Sequence, residues 1–173
     1  MPSTIYRHET ALGDIWSEWT MLSGQPALFR ISLETLPATS TRLVGDLRSG
    51  GIAKDFDHRL KIYCERGAED FRDVLVDPAG WTDFTTRVYQ CCRNVRPGET
   101  LTYKQLAAKA GSPNASRAVG AAMSRNRILL VIPCHRVIAS NGQLRGFSAP
   151  GGLQTKQSLL DLERAQRHFE LVS

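Results

Sequence analysis

Short alternating or apolar runs open the chain. Residues 15–19 and 27–33 carry them, bounded by Gly13-Asp14 and by Ser23-Gly24-Gln25-Pro26, so residues 5–35 predict extended segments joined by a hairpin. Pro37 to Ser40 predicts a loop leading into a helix start, with Ser40 or Thr41 as the cap, and Gly50-Gly51 interrupts the pattern. Between Asp55 and Asp77, Phe56, Leu60, Ile62, Phe71, Val74 and Leu75 supply apolar positions whose spacing fits either helix or strand. No chemistry is concentrated in this half, which reads as a small α/β scaffold lobe. The turn-rich Asp77-Pro78-Ala79-Gly80 marks the boundary between a lobe of residues 1–79 and one of residues 80–173.

Helical spacing dominates the second lobe. Phe84, Val88, Cys91, Cys92 and Val95 define an amphipathic helix that starts near Thr82 or Asp83 and stops at Arg96-Pro97-Gly98. Thr102 is placed to cap a short helix from Tyr103 to Ala110, with Leu106 and Ala107 facing inward. After the turn at Gly111-Ser112-Pro113, Asn114 or Ser116 opens another helix that runs to about Ser124. Two short helices around a glycine-containing turn fit a helix-turn-helix, and equally an ordinary packed helical hairpin. The small residues Ala118, Gly120, Ala121 and Ala122 would let the second helix approach a groove closely, with Arg117 projecting a cation. Ser140-Asn141-Gly142 predicts a tight turn, residues 146–152 a loop suited to lining a pocket, and Lys156, Leu159, Leu160, Leu162 and Glu163 fall in register on a last helix.

Chemistry gathers at Val131-Ile132-Pro133-Cys134-His135-Arg136-Val137, where a thiol and an imidazole follow an apolar run. A thiolate beside a base in a rigid setting is what nucleophilic catalysis needs. From this pair alone a buried structural cysteine is the commoner case.

Composition narrows the class. The chain has 173 residues, 42% apolar and 23% charged, a globular rather than disordered or membrane composition. No apolar run approaches bilayer length and no signal pattern opens the chain, so the expected location is the cytoplasm, or the nucleus in a eukaryote. The four cysteines, Cys64, Cys91, Cys92 and Cys134, form no Cys-x-x-Cys pair, so neither a disulfide framework nor a zinc site is expected. Net charge is +5, and its placement says more than its size. Between Arg87 and Arg145 ten Lys or Arg residues face a single acid, Glu99. That asymmetry points to nucleic acid meeting the second lobe.

These motifs, in this order, resemble the O6-alkylguanine-DNA alkyltransferases, also called methylated-DNA–protein-cysteine methyltransferases. The likeness runs from about Trp81 to Glu163. It takes in Arg96-Pro97-Gly98-Glu99-Thr100 before Tyr103, Ser116-Arg117-Ala118-Val119-Gly120, Arg125-Asn126, Ile132-Pro133-Cys134-His135-Arg136-Val137, Gly151-Gly152-Leu153, Lys156 and Glu163.

The resemblance implies an α/β N-terminal lobe of ribonuclease-H-like type and a mainly helical C-terminal lobe with a winged-helix-like helix-turn-helix. It implies direct-reversal DNA repair, in which Cys134 irreversibly takes the alkyl group from O6-alkylguanine, with O4-alkylthymine a second candidate substrate. His135 would be the base acting through a water, Glu163 would orient it, Asn126 would brace the turn, and Tyr103 would protonate the departing guanine. Phe147, Ser148, Val137 and Met123 would line the pocket for the flipped base. Ser116, Arg117, Ala118, Ala121 and Arg125 would meet double-stranded DNA through its minor groove, with Arg117 filling the stack. No cofactor, metal or membrane is implied, and the free protein is expected to be a monomer.

The loop departs from the family pattern, because Ala149-Pro150 adds two residues before Gly151-Gly152 and Phe147 lacks a phenolic hydroxyl. The N-terminal zinc ligands of some relatives have no counterpart, since the first sixty-three residues contain no cysteine. Other readings are a non-repairing alkylated-DNA binder, disfavoured by Cys134, and an alkylation-sensing regulator, disfavoured by the absence of a regulatory module. A thiol hydrolase would leave the basic second helix unexplained.

Overall fold

Alternating burial builds the N-terminal sheet. The structure, a computed structural model, describes residues 3–33, 43–47 and 51–172. The loop and cap expected at residues 37–41 and the first glycine of Gly50-Gly51 lie outside them. Strands β1 (Thr4–Thr10), β2 (Gly13–Leu22) and β3 (Gln25–Leu33) form an antiparallel meander, and β4 (Leu43–Val44) adds in parallel to β1. The sheet order is β3-β2-β1-β4. Ser23 and Gly24, both at positive φ, make the expected hairpin turn between β2 and β3.

The ambiguous stretch after residue 51 resolves into a helix followed by irregular chain. Helix α1 (Ile52–Arg66) buries Ala53, Phe56, Leu60, Tyr63 and Cys64 at helical spacing. Beneath it, buried His8 bonds Asp57 of α1 through Nδ1 (3.0 Å) and Ser17 of β2 through Nε2 (2.7 Å). Burial lowers the His8 pKa, against the opposing influence of Asp57.

The second half is mainly helical, with α2 (Asp83–Arg93), α3 (Tyr103–Lys109), α4 (Ser116–Ser124) and α5 (Gly152–Val172). Thr82 caps α2, and Thr102 caps α3 in a full capping box with Gln105. Helix α4 opens at Ser116 and ends at Ser124, as expected, and Ala115 occupies its cap position with no side-chain acceptor. Strand β5 (Leu101–Thr102) runs into α3 and pairs in parallel with β6 (Val137–Ile138), which sets Tyr103 beside the segment carrying Cys134.

One contiguous apolar core runs through both halves, from Ile15 and Leu28 of the sheet through Leu60 and Val88 to Val119, Ile132 and Leu159. Backbone joins them too: Ile31 of β3 donates to Arg127 O at 2.8 Å. Arg127 then clasps the junction. It donates to Phe29 O at 2.9 Å, Asp77 O at 3.0 Å and Ala79 O at 2.7 Å, and its guanidinium lies 4.2 Å from the Phe29 ring centroid. Among the described residues, no helix is long and apolar enough to cross a membrane.

Arg127→Ala leaves three carbonyls without their donor, so it should lower unfolding free energy by about 2 kcal/mol. Urea denaturation checks this, and a loss below about 0.5 kcal/mol, the scale of an ordinary surface change, would remove the clasp from the account.

Candidate functional site

Everything near Cys134 begins with how the chain turns there. The apolar run 128–132 is wound into turns rather than a strand, with Ile132 N bonded to Ile128 O at 2.9 Å. Leu130 takes a left-handed φ of 68°, costly for a branched side chain and tolerated here inside a packed core. Pro133 precedes a single 3-10 turn, Cys134–Arg136, which presents thiol, imidazole and guanidinium on three successive residues.

Asn126 holds the turn with its whole amide. Its Nδ2 donates to Ile132 O (2.8 Å) and to Cys134 Sγ (3.3 Å), while Oδ1 accepts from Ile128 N (3.0 Å). An aspartate could make only the last of these. Cys134 is 4% exposed. Burial pushes its pKa up, against the pull of the Asn126 amide and the Lys156 charge, so the resting sulfur is a thiol.

His135 is fully buried, and that burial lowers its pKa despite Glu163, so it is neutral near pH 7. Its Nε2 lies 2.8 Å from Glu163 Oε1. Burial alone would raise the Glu163 pKa, but the charges and hydrogen bonds of His135 and Arg136 outweigh it and hold the carboxyl to about 2. An ionised carboxylate only accepts, so Nε2 carries the imidazole proton and Nδ1 keeps the lone pair. Nδ1 meets no protein donor or acceptor among the described residues. The arrangement supplies a neutral base, oriented by a carboxylate, next in sequence to a buried thiol.

The other expected residues divide into two groups. Tyr103 is partly buried and its OH donates to Arg145 O at 3.4 Å, while burial raises its pKa, keeping the phenol protonated. Phe147 packs edge-on to His135 with centroids 6.5 Å apart; Val137 and Met123 are buried, and Ser148 is exposed. Arg117, Ala118, Ala121 and Arg125 form one exposed face of α4, with Ser116 half-buried at its start.

Three of the ten cations counted toward a nucleic-acid surface point elsewhere. Arg136 is 1% exposed and bonds Glu163 through Nε (3.0 Å) and Nη2 (2.8 Å), as well as Val95 O. Arg127 forms the clasp described above. Arg93 donates to the carbonyls of Phe71, Arg72 and Val74. Sequence reasoning also missed Tyr63, whose OH donates to Glu163 Oε1 at 2.7 Å, and gave no role to Lys156, fully buried and bonded to Val137 O (2.7 Å) and Arg145 O (3.0 Å). The scaffold lobe thus does carry chemistry, through a tyrosine that local spacing presents only as a core aromatic.

Comparison with known proteins adds the family. Residues 83–165 match the family described as 6-O-methylguanine DNA methyltransferase, DNA binding domain. A methylated-DNA–protein-cysteine methyltransferase of Mycobacterium leprae is 48% identical over 123 residues, covering 71% of this chain and 72% of that protein. This chain belongs to the methylated-DNA–protein-cysteine methyltransferase family. A family member from Methanosarcina acetivorans is 41% identical over 110 residues, 64% of this chain and 68% of its own. The crystal structure of Mycobacterium tuberculosis OGT in complex with DNA is similar in fold, with a TM-score of 0.76, 28% identity and 94% of each chain covered. The α/β first half and helical second half of this chain are therefore the family's architecture.

The Glu163 pKa carries a stability signature. It is depressed from 4.5 to about 2, so its contribution is present above pH 4.5 and lost as pH falls through the folded value. The stability gap between wild type and Glu163→Gln should therefore be widest near neutrality and shrink by on the order of 3 kcal/mol between about pH 5 and pH 2. Denaturant melts across that range test this; a gap independent of pH would contradict the ionised, paired carboxylate.

Proposed function

We propose that this protein repairs alkylated DNA directly, moving the alkyl group of O6-alkylguanine onto Cys134 in a single irreversible turnover. The observation that carries the reading is the buried thiol of Cys134, bound by Asn126 and followed by a histidine oriented by an ionised glutamate. The names of its relatives supply the substrate class.

Chemistry then follows from the residues. His135 Nδ1 takes the Cys134 proton, through a water, as the sulfur attacks the alkyl carbon from the side opposite the C–O6 bond. That bond breaks, its electron pair goes to guanine, and Tyr103 supplies a proton to the departing base. The proton taken from sulfur returns to Tyr103 through His135 and solvent, so thiol plus alkylguanine become thioether plus guanine. Phe147 provides an aromatic wall, Val137 and Met123 an apolar lining, and Ser148 a donor toward O6. No step regenerates the thiol, and no cofactor or metal takes part.

A thiol only 4% exposed cannot reach a base inside a duplex. The damaged nucleotide is therefore rotated out, at a cost of a few kcal/mol that Arg117 offsets by filling the gap. Helices α3 and α4 form a helix-turn-helix of winged-helix-like type, and the sheet with α1 forms a ribonuclease-H-like lobe, with the lobes meeting near residue 80. The small-residue face of α4, Ala118 and Ala121 between Arg117 and Arg125, suits the narrow minor groove of double-stranded DNA. We read the free protein as a monomer acting where the cell keeps its DNA, the bacterial cytoplasm or the nucleus. A non-repairing binder of alkylated DNA is not favoured, since Cys134 is present and followed by His135.

Intact-mass measurement after incubation with an O6-methylguanine duplex should show one added methyl group, absent in Cys134→Ala. An unchanged mass in the wild type would sink the transfer reading. Arg117→Ala should slow single-turnover transfer from the duplex by about tenfold or more, the kinetic equivalent of losing part of the flipping energy. An unaltered rate would remove Arg117 from that role.

A further inference from the structure

Glu163 serves more than its histidine. Its Oε1 lies 2.8 Å from His135 Nε2, 2.8 Å from Arg136 Nη2 and 2.7 Å from the Tyr63 hydroxyl, while Oε2 accepts from Gly98 N at 3.1 Å. Tyr63 is the one of these donors that comes from the first half of the chain, on the last turn of α1. Its hydroxyl also lies 3.3 Å from His135 Nε2, so it touches both members of the pair.

A phenol has one proton to give. Burial and the negative charge of Glu163 hold the Tyr63 pKa well above its ordinary value, so it remains a neutral donor. With that proton directed at Glu163, the phenol oxygen offers His135 only lone pairs. Both groups facing Nε2 are then acceptors, which fixes the imidazole proton on Nε2 and leaves Nδ1 as the basic nitrogen.

The approach of α1 is built for this contact. Gly67 ends the helix in a left-handed conformation (φ 67°), with its N–H on Tyr63 O at 2.7 Å. A Cβ on Gly67 would sit 2.9 Å from Leu162 O and 3.0 Å from Glu163 N, so only glycine lets the helix end meet the backbone of Glu163.

We propose that Tyr63 is a positioning residue for alkyl transfer, reaching from the N-terminal half to set the tautomer of His135 and to temper the basicity of Glu163. This rests on the reading of Cys134 as the alkyl acceptor. The charged or titratable groups nearest the pair are Arg136 and Cys134 on the turn, Lys156 on α5 and Tyr63 itself, while Asp70, Arg72, Arg96, Glu99 and Arg167 line the cleft that Glu163 borders. Removing the hydroxyl deprives Glu163 of one donor while Arg136 stays in place. The less neutralised carboxylate holds an imidazolium more strongly, so His135 protonates at a higher pH.

The test is single-turnover transfer from a saturating O6-methylguanine duplex, followed from pH 5.5 to 9. Tyr63→Phe keeps the ring and its packing on Phe71 (centroids 5.8 Å apart), and a thermal melt confirms its folded fraction. It should lower the plateau rate about tenfold and move the acid limb up by about half a pH unit. In a Glu163→Gln background the same change should leave the acid limb where Glu163→Gln alone puts it, because that shift runs through the carboxylate. A pH profile superimposable on wild type, or an equal acid-limb shift in both backgrounds, overturns the assignment. The endpoint mass separates the two readings: a wild type that gains no alkyl group defeats the transfer itself, whereas one that gains it while Tyr63→Phe reacts with an unchanged pH profile defeats only the role of Tyr63.

Discussion

A single buried carboxylate organises this molecule. Glu163 is 0% exposed, and an ionised group taken that far from water costs several kcal/mol unless it is paired and hydrogen-bonded. Three separate segments supply the compensation: the end of α1 through Tyr63, the loop before β5 through Gly98, and the thiol turn through His135 and Arg136. None of these partners is near Glu163 in sequence, so the charge is tolerable only once the chain is fully assembled. The reactive turn is therefore held by tertiary structure, and the first half is part of the site rather than a platform beneath it.

The same burial shapes reactivity. Cys134 is kept as a thiol and His135 as a neutral imidazole, while Glu163 stays ionised. A repeatedly used thiol enzyme gains from a thiolate that is present at rest, because attack then needs no proton transfer. An acceptor that is consumed has the opposite requirement, since any stray electrophile or oxidant that reaches a resting thiolate destroys the molecule. On the proposed reading, a shielded thiol followed by a neutral imidazole meets that requirement, because the nucleophile would be generated only when substrate fills the pocket.

How much of this could be read from the chain depends on the range of the interactions involved. The hairpin, α2 and α3 were legible because alternation, Thr82, Thr102 and Pro97-Gly98 act within a few residues. Helix α1 was not, because its stripe of Ala53, Phe56, Leu60, Tyr63 and Cys64 merges with the irregular apolar positions Phe71, Val74 and Leu75, which blur the period. Cys134, His135, Asn126 and Glu163 were legible through motif order, whereas Tyr63 was not, since its partner lies one hundred residues away. Arg136 was misread for the same reason. A cation in a basic stretch looks like surface until a buried carboxylate is found opposite it. At α4 the start at Ser116 and the end at Ser124 were legible, although Ala115, which has no side-chain acceptor, holds the cap position.

The remaining question is how a DNA surface and a buried thiol can work as one device, and chain geometry answers it. Helix α4 turns Arg117, Ala118 and Ala121 outward and Val119, Ala122 and Met123 into the core. Asn126 follows almost at once, and its amide binds both Ile132 O and Cys134 Sγ. Tyr89 of α2 pins the same helix from inside through a 2.7 Å bond to Ala122 O. The outward face and the nucleophile are thus two ends of one short, internally bonded segment, packed without slack against a common core. On the proposed reading, a base delivered at a fixed offset from α4 would arrive at a fixed offset from Cys134, so affinity for the groove would be spent on aligning the attack. In such an arrangement, loosening Asn126 would misplace the sulfur without weakening the DNA face, whereas changing Arg117 would do the reverse.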